Sequence, residues 1–511
     1  MNKDRMIKTT IWLMIITACS KLIGFLREVL IAYRFGSDMG TDAFFISRSI
    51  YGVIFALAGA GLGLAIIPML SRIREENPGE EEGYIHSITV VFLFVSLFLI
   101  GLSYLFTEPL VRLFAIGFSG EQLSLAVRFV RLGLPVIALY FIYSIYEAFN
   151  HSKNRFYVVA LGGFALNLPI IVYLLFFYEY AGLFGLVISM TIGYALRSLL
   201  VYLPVKTWGA RRGPIADHKA YLLGTFSLMI PIMLTTIISN INHVIDRNLA
   251  STLAEGSISA LNYSATTKDA FMGLFIVSMI TVIYPSFSDW VVKKDWPRVR
   301  RMFTYSVSMI LLITIPATAG IMLLNREIVE IIFMRGAFEL RDVMMTSSAL
   351  FFYALGITGA AVNAFIDKVY YAYHDSKTAM KIGSGAVVLN IILNLILVKF
   401  MQHNGLALAT SIAVTVGVFV KIIFLRGKAL SPNYSRLGKL LIKSLVSTLL
   451  MLLVVNLVRS NLFDLQAGST ILKMLKLGCV VLSGVLAYIL GFLLLSRVVK
   501  DEEPYFPFER G

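Results

Sequence analysis

The stretch IHSITVVFLFVSLFLIGLSYLF, residues 85–106, contains no Lys, Arg, Asp or Glu. As a helix rising 1.5 Å per residue it reaches about 33 Å, enough to cross the ~30 Å hydrocarbon core of a bilayer. Comparable apolar runs recur from Thr9 to Leu495. Over the 511 residues, 58% are hydrophobic and 15% charged, where an ordinary soluble domain carries about 25% charged residues. The chain therefore reads as an all-α polytopic membrane protein. Charged or Gly/Pro/Asn breaks divide it into fourteen helices, near 8–34, 43–71, 85–106, 124–149, 156–178, 182–204, 221–250, 257–287, 302–324, 343–373, 378–400, 404–425, 437–458 and 472–496.

The net charge of +15 would suggest nucleic acid in a soluble protein. Here the basic residues sit in short loops, and no nucleic-acid partner is expected. Even-numbered connections are rich in Lys and Arg: Arg72 and Arg74; Lys153 and Arg155; Lys206, Arg211, Arg212 and Lys219; Lys293, Lys294, Arg298, Arg300 and Arg301; Lys377 and Lys381; Arg426, Lys428, Arg436 and Lys439. Odd-numbered connections have few. By the positive-inside rule both termini are expected in the cytoplasm. Lys3, Arg5 and Lys8 before an apolar stretch ending at Cys19 could pass for a lipoprotein leader. The apolar pattern runs on to Tyr33, so this segment is read as the first span. Cys19 and Cys479 both fall inside spans, so no disulfide framework is expected, and no histidine has metal-ligand spacing.

An internal repeat organises the spans. Asn150-His151-Ser152-Lys153, then Asn167, then Ala181-Gly182-Leu183 match His374-Asp375-Ser376-Lys377, then Asn390, then Asn404-Gly405-Leu406, at offsets of 223 or 224. Arg27 and Arg247 match more weakly at 220, and Pro68 and Pro285 at 217. Six helices per unit is an even number, so the two repeats enter the membrane from the same side. This places an N-lobe at 1–205 (helices 1–6), a C-lobe at 206–428 (helices 7–12), and helices 13 and 14 with a cytoplasmic tail at 429–511. In transporters with such repeats, substrate sites lie near the bilayer midplane.

Charges inside the spans mark the candidate site, since each costs ~2.5–3.5 kcal/mol or more in hydrocarbon. Thr17, Ser20, Lys21, Gly24, Arg27 and Glu28 fall on one face of helix 1 at 100° per residue. Helix 2 carries Asp42 and Arg48, helix 7 Asp246 and Arg247, and helix 8 Lys268 and Asp269. Structural ion pairs, Arg27 with Glu28 or Asp246 with Arg247, are the alternative reading, and Thr41-Asp42 also suits a helix cap. The collection of Lys21, Arg27, Arg48, Arg247 and Lys268 favours an anionic ligand, because a guanidinium matches phosphate bidentately. Asn390, Asn394, Thr410 and Asp246 could supply oxygens to a small cation, or form interhelical hydrogen bonds. Prolines 135, 169, 231 and 316 are expected to kink their helices.

Ser20-Lys21-Leu22-Ile23-Gly24-Phe25-Leu26-Arg27-Glu28, followed by Gly40-Thr41-Asp42-Ala43-Phe44-Phe45, resembles the first two helices of the MurJ (MviN) lipid II flippase family, within the multidrug/oligosaccharidyl-lipid/polysaccharide exporter superfamily. The resemblance implies alternating-access flipping of an undecaprenyl-pyrophosphate-linked peptidoglycan precursor. It makes Arg27 the leading pyrophosphate ligand, with Lys21, Glu28 and Asp42 at matching positions. A family arginine of helix 2 has no counterpart near Ile54, leaving Arg48 to serve. In helix 8 the family's arginine position falls near Thr266, leaving Lys268, while its acidic partner is Asp269. Some family members have a sodium site that Asp246, Asn390, Asn394 and Thr410 resemble, with Asn394 where a carboxylate is usual. The expected partners are the undecaprenyl-linked glycolipid, membrane lipids and proteins of peptidoglycan synthesis, acting on a monomer. No cofactor is expected beyond a coupling ion, sodium or a proton, and the membrane potential.

Two other classes fit less well. A cation-coupled multidrug exporter would need an acidic, aromatic pocket rather than Lys and Arg. An enzyme acting on the same lipid would need a catalytic carboxylate outside, yet Glu108, Glu121, Glu255, Glu330 and Glu339 form no paired pattern. An exporter of another polyprenyl-linked saccharide, from a capsule or sporulation pathway, keeps the whole plan.

Overall fold

Each apolar run becomes a helix or a pair of helices. The computed structural model describes residues 3–205, 218–425, 434–462 and 470–498; Lys206, Arg211, Arg212, Arg426, Lys428 and the C-terminal tail lie outside them. In chain order the helices are α1 (Lys3–Phe35), α2 (Met39–Glu76), α3 (Glu81–Leu105), α4 (Thr107–Phe114), α5 (Gly120–Gly133), α6 (Pro135–Ser152), α7 (Phe156–Phe176) and α8 (Tyr178–Tyr202). Then come α9 (Lys219–Ala250), α10 (Ser257–Phe271), a π-helical turn (Met272–Val277), α11 (Ser278–Val292), α12 (Trp296–Leu323), α13 (Asn325–Phe333), α14 (Leu340–Leu355), α15 (Ile357–Ala372), α16 (Ser376–Met401) and α17 (His403–Leu425). The hairpin of α18 (Tyr434–Leu462) and α19 (Thr470–Val498) closes the described chain. Among the described residues, ten helical spans are long and apolar enough to cross a membrane, or twelve when each of two bent pairs counts as one. On α3, Phe94 and Phe98 stand 69% exposed, an arrangement that only a lipid solvent makes inexpensive.

The element order of α1–α8 recurs in α9–α17, including the short helix (α4, then α13) and the bent pair that follows it. The backbone corrects the register of the repeat. Asn154 and His374 are both left-handed, at φ 58° and 54°. Gly182 (φ 51°, ψ −132°) and Gln402 (φ 50°, ψ −133°) share an unusual conformation. Both pairs are 220 residues apart, not 223 or 224. Two interhelical bonds agree: Asn150 Nδ2 donates to the Val201 carbonyl at 2.8 Å and Tyr370 Oη to that of Lys421 at 2.9 Å, again 220 apart. The His-Ser-Lys letters recur about one helical turn out of this register, which leaves each residue on nearly the same face. Asn167 therefore corresponds to Val387 rather than Asn390, while the Arg27–Arg247 correspondence stands.

The bends have different causes in the two copies. Between α5 and α6 the axis turns 43° at Pro135, the first residue of α6, whose ring removes a backbone donor. Between α14 and α15 it turns 48° at Gly356, where an added Cβ would stand 2.8 Å from Ser411 Cα; close packing on α17 requires the glycine there. Pro169 and Pro316, expected to kink their spans, lie inside helices that run on through them.

Packing divides the chain into two compact units, Met1–Asn262 with Arg335–Phe338, and Tyr263–Met334 with Glu339–Gly511. The boundary differs from that of the repeat, because α9 packs in the first unit along α2. Gly61 and Gly224 permit the approach: a Cβ on either would meet a methionine side chain, Met229 or Met69, at 2.6 Å. Polar ties at both ends of α9 order the connections by side. At one end, Arg74 and Lys153 converge on Glu81, and His218 lies 3.4 Å from Glu80, joining connections two, four and six. At the other, the Met39 amide donates to Glu255, the Gly117 amide to Ser251 and the Ala337 amide to the Tyr33 carbonyl, joining connections one, three, seven and nine. The alternation read from the charge pattern is thus built into the first unit.

In the second unit, α13 is latched to the C-terminal hairpin. Glu327, 1% exposed, pairs with Arg459 at 2.6 Å, and Glu330 with Lys473 at 2.7 Å. Leu324, Met451, Val455, Val480 and Tyr488 form the apolar contact beneath.

Candidate functional site

The polar face of α1 meets α2, α7 and α10 around one carboxylate. Glu28, 2% exposed, accepts from Arg27 Nη2 at 2.5 Å and from Arg48 Nη1 at 2.7 Å, both on Oε1. Its Oε2 accepts from Asn262 Nδ2 at 3.3 Å. Arg27 Nη1 also donates to Asn167 Oδ1 at 2.8 Å, and Asn167 is anchored through its own amide to the Gly163 carbonyl. Two guanidinium groups against one carboxylate leave this cluster with a surplus positive charge. Burying three charges is tolerable only with such mutual pairing.

The two arginines are not sealed in. Arg27 is 19% and Arg48 31% exposed, and both line a cavity of about 320 Å³ within the first unit, with Tyr51, Phe55, Leu166, Met190 and Tyr194 on its walls. The buried Arg27 Nε has no hydrogen-bond partner, leaving one donor of the fork free. The arrangement offers cationic donors to an anion and holds them in place with an internal counter-ion.

The other sequence-derived candidates have the following partners. Asp42, 2% exposed, accepts from the Gly256 and Ser259 amides at 2.9 and 2.8 Å and from Ser259 Oγ at 2.6 Å. Both its oxygens cap the first turn of α10, as an N-terminal carboxylate does, tying that turn to α2. The cap of α2 itself is Asp38, which accepts from the Thr41 amide. Lys21 is exposed on α1, nearly two turns from Arg27. Lys268 and Asp269 belong to the second unit and pair with each other at 2.9 Å. Asn394 Nδ2 donates to Asn390 Oδ1 at 2.8 Å, and Asn390 Nδ2 lies 3.4 Å from Thr410 Oγ1. Asp246 sits in the first unit, accepting from Asn242 at 3.3 Å. Among the described residues no three His, Cys, Asp or Glu side chains gather as for a metal ion. Sequence reading missed Asn167 and Asn262 as site residues. An asparagine amid an apolar span was the available signal for Asn167; Asn262, in a polar helix start, offered none.

A bundle of apolar helices built from a six-helix pattern used twice, with an arginine-lined cavity in its first unit, defines a membrane transporter. Its fold is that of a solved multidrug resistance MATE family transporter of the MOP superfamily in an inward-facing conformation, with a TM-score of 0.66 and 15% identity over 80% of this chain and 94% of that one. Residues 31–477 match the family model for the lipid II flippase MurJ, and the chain belongs to that family, one of transporters rather than enzymes. A probable lipid II flippase MurJ of Thermotoga maritima is 27% identical over 99% of both chains, and one of Buchnera aphidicola subsp. Baizongia pistaciae 25% identical over 92% of this chain and 93% of that. A solved lipid II flippase MurJ in an inward closed conformation superposes with a TM-score of 0.81 at 26% identity, covering 96% of this chain and all of the other.

Proposed function

We propose that this protein moves lipid II, the undecaprenyl-pyrophosphate-linked peptidoglycan precursor, from the inner to the outer leaflet of the bacterial cytoplasmic membrane by alternating access. The observation that carries the reading is the surplus guanidinium at Arg27 and Arg48, facing a cavity. In this account the pyrophosphate takes donors now given to Glu28: phosphate oxygens accept from the two forks, and the carboxylate recovers them on release. An internal counter-ion of this kind keeps the empty site from collapsing and keeps binding reversible. The lipid tail stays in the bilayer while the headgroup crosses.

The spans number fourteen in this proposal, α1 and α9 joining the twelve counted above, with both termini in the cytoplasm and the protein acting as a monomer. The membrane potential, inside negative, drives an anionic headgroup outward by ~2.3 kcal/mol per charge per 100 mV, and sodium or a proton is the candidate coupling ion. A cation-coupled drug exporter is disfavoured because arginines, not carboxylates, face the cavity. Export of another polyprenyl-linked saccharide would use the same pyrophosphate contacts. The test is depletion of the protein in cells, with the leaflet of lipid II read by an externally added enzyme that cleaves it. The proposal expects externally cleavable lipid II to fall as the protein is lost; an undiminished external pool refutes it.

A further inference from the structure

The wall of the cavity beside the arginines is aromatic, and this has no use in holding a pyrophosphate. Tyr194, on α8, lines the cavity and packs against Phe55 with ring centroids 5.3 Å apart. Phe55 in turn stacks on Tyr140 at 4.1 Å with an interplanar angle of 14°. Phe55 is only 8% exposed, so the pair backs Tyr194 and fixes its ring while leaving it partly open to the cavity. Among the described residues the Tyr194 hydroxyl has no hydrogen-bond partner, although it lies within electrostatic reach of Arg27, Arg48 and Arg197.

Arg197 follows Tyr194 by one helical turn. Its guanidinium lies over the Tyr143 ring at 3.7 Å from the centroid, its buried Nε has no acceptor, and no carboxylate among the described residues pairs with it. The nearby Glu147 instead accepts from the Tyr143 hydroxyl at 2.7 Å. Arg197 does not itself line the cavity; stacked on Tyr143, it stands one turn beyond Tyr194 as a third cation with no paired carboxylate among the described residues.

Resting on the lipid II reading above, we propose that Tyr194 is the centre of a headgroup subsite distinct from the pyrophosphate contacts: it stacks on the apolar face of the first pyranose ring, while Arg197, one turn further along the same helix, supplies positive charge that favours an acidic or carbonyl-bearing substituent on that sugar. The chemistry suits a sugar, whose C–H face packs on an aromatic ring while its hydroxyls and amides take hydrogen bonds from the tyrosine hydroxyl. It also gives the protein a way to select a glycosylated lipid over its bare undecaprenyl carrier.

The test measures binding of two probes to the purified full chain: undecaprenyl pyrophosphate, which lacks the sugar, and lipid II. Tyr194→Ala is expected to weaken lipid II by about five- to tenfold with undecaprenyl pyrophosphate held within twofold, which also shows that the variant is folded. Tyr194→Phe keeps most of the lipid II affinity, and Arg197→Gln lowers lipid II alone. Arg27→Ala lowers both probes. Unchanged lipid II binding by Tyr194→Ala and Arg197→Gln, or an equal loss for both probes, overturns the subsite. If the wild-type chain does not distinguish undecaprenyl pyrophosphate from undecaprenol, the pyrophosphate reading itself fails, and the subsite with it.

Discussion

Replacing Glu28 by Gln separates the two functions assigned to its carboxylate. The amide keeps the size of the side chain, and its oxygen can still accept from Arg27 and Arg48 on the atom they now share. What is lost is charge. A hydrogen bond to an ionised group is worth ~1.5–3 kcal/mol and a neutral one about 1 kcal/mol, so two downgraded bonds cost about 2 kcal/mol. The Asn262 amide, which now donates to Oε2, meets another donor and must turn. The two guanidinium groups lose their counter-ion, a penalty reduced because both open onto the cavity. The net expectation is a destabilisation of about 2–3 kcal/mol, or a melting temperature lower by ~5 °C. The same change raises the charge facing the cavity by one unit, which at a separation near 6 Å and an effective dielectric constant of ~20 adds on the order of 1–2 kcal/mol of attraction for a diphosphate after screening. Undecaprenyl pyrophosphate is then expected to bind Glu28→Gln about 5- to 30-fold more tightly while cells carrying it flip lipid II more slowly, because release no longer has a competing carboxylate. A thermal-shift scan and a binding isotherm on the same preparation check both halves. Wild-type melting together with weaker binding would refute the counter-ion reasoning.

Arg27→Ala is expected to cut undecaprenyl pyrophosphate affinity at least tenfold, with Arg27→Lys restoring part of it as a point charge without the bidentate fork; equilibrium binding reads both. Asp42→Ala is expected to do the reverse, removing three acceptor contacts from the first turn of α10 and lowering stability by about 3 kcal/mol while leaving that affinity within twofold, as a melting curve and an isotherm report. Arg459→Ala strands the Glu327 carboxylate at the foot of α13 and is expected to cost about 3 kcal/mol. The double variant Glu327→Gln with Arg459→Met is expected to recover most of that loss in the same thermal assay.

Much of this was legible in the letters. Apolar length located the helices, and charges in apolar spans located Arg27, Glu28 and Arg48, because lipid makes an unpaired charge expensive enough that each must have a reason. What the letters hid depends on contacts distant in sequence. Asp42 looks like a site residue on α2 until α10 is folded against it, 214 residues further on. Gly356 reads as an ordinary small residue in an apolar run, and its bend follows from Ser411 on another helix. The repeat was visible but its register was not, since a shift of one turn preserves the helix face and so leaves the hydropathy pattern almost unchanged. Tyr194 and Arg197 read as ordinary because aromatic and basic residues near a span end are more often interfacial; the neighbours that set Tyr194 in a cavity wall and stack Arg197 come from α2 and α6.

The most direct measurement is a structure of the full chain in a lipid bilayer mimic with lipid II bound. The account predicts phosphate density within hydrogen-bond distance of the Arg27 and Arg48 guanidinium groups, with at least one of their present bonds to Glu28 given up. Pyrophosphate found away from both arginines, with the three-charge cluster intact, would contradict it.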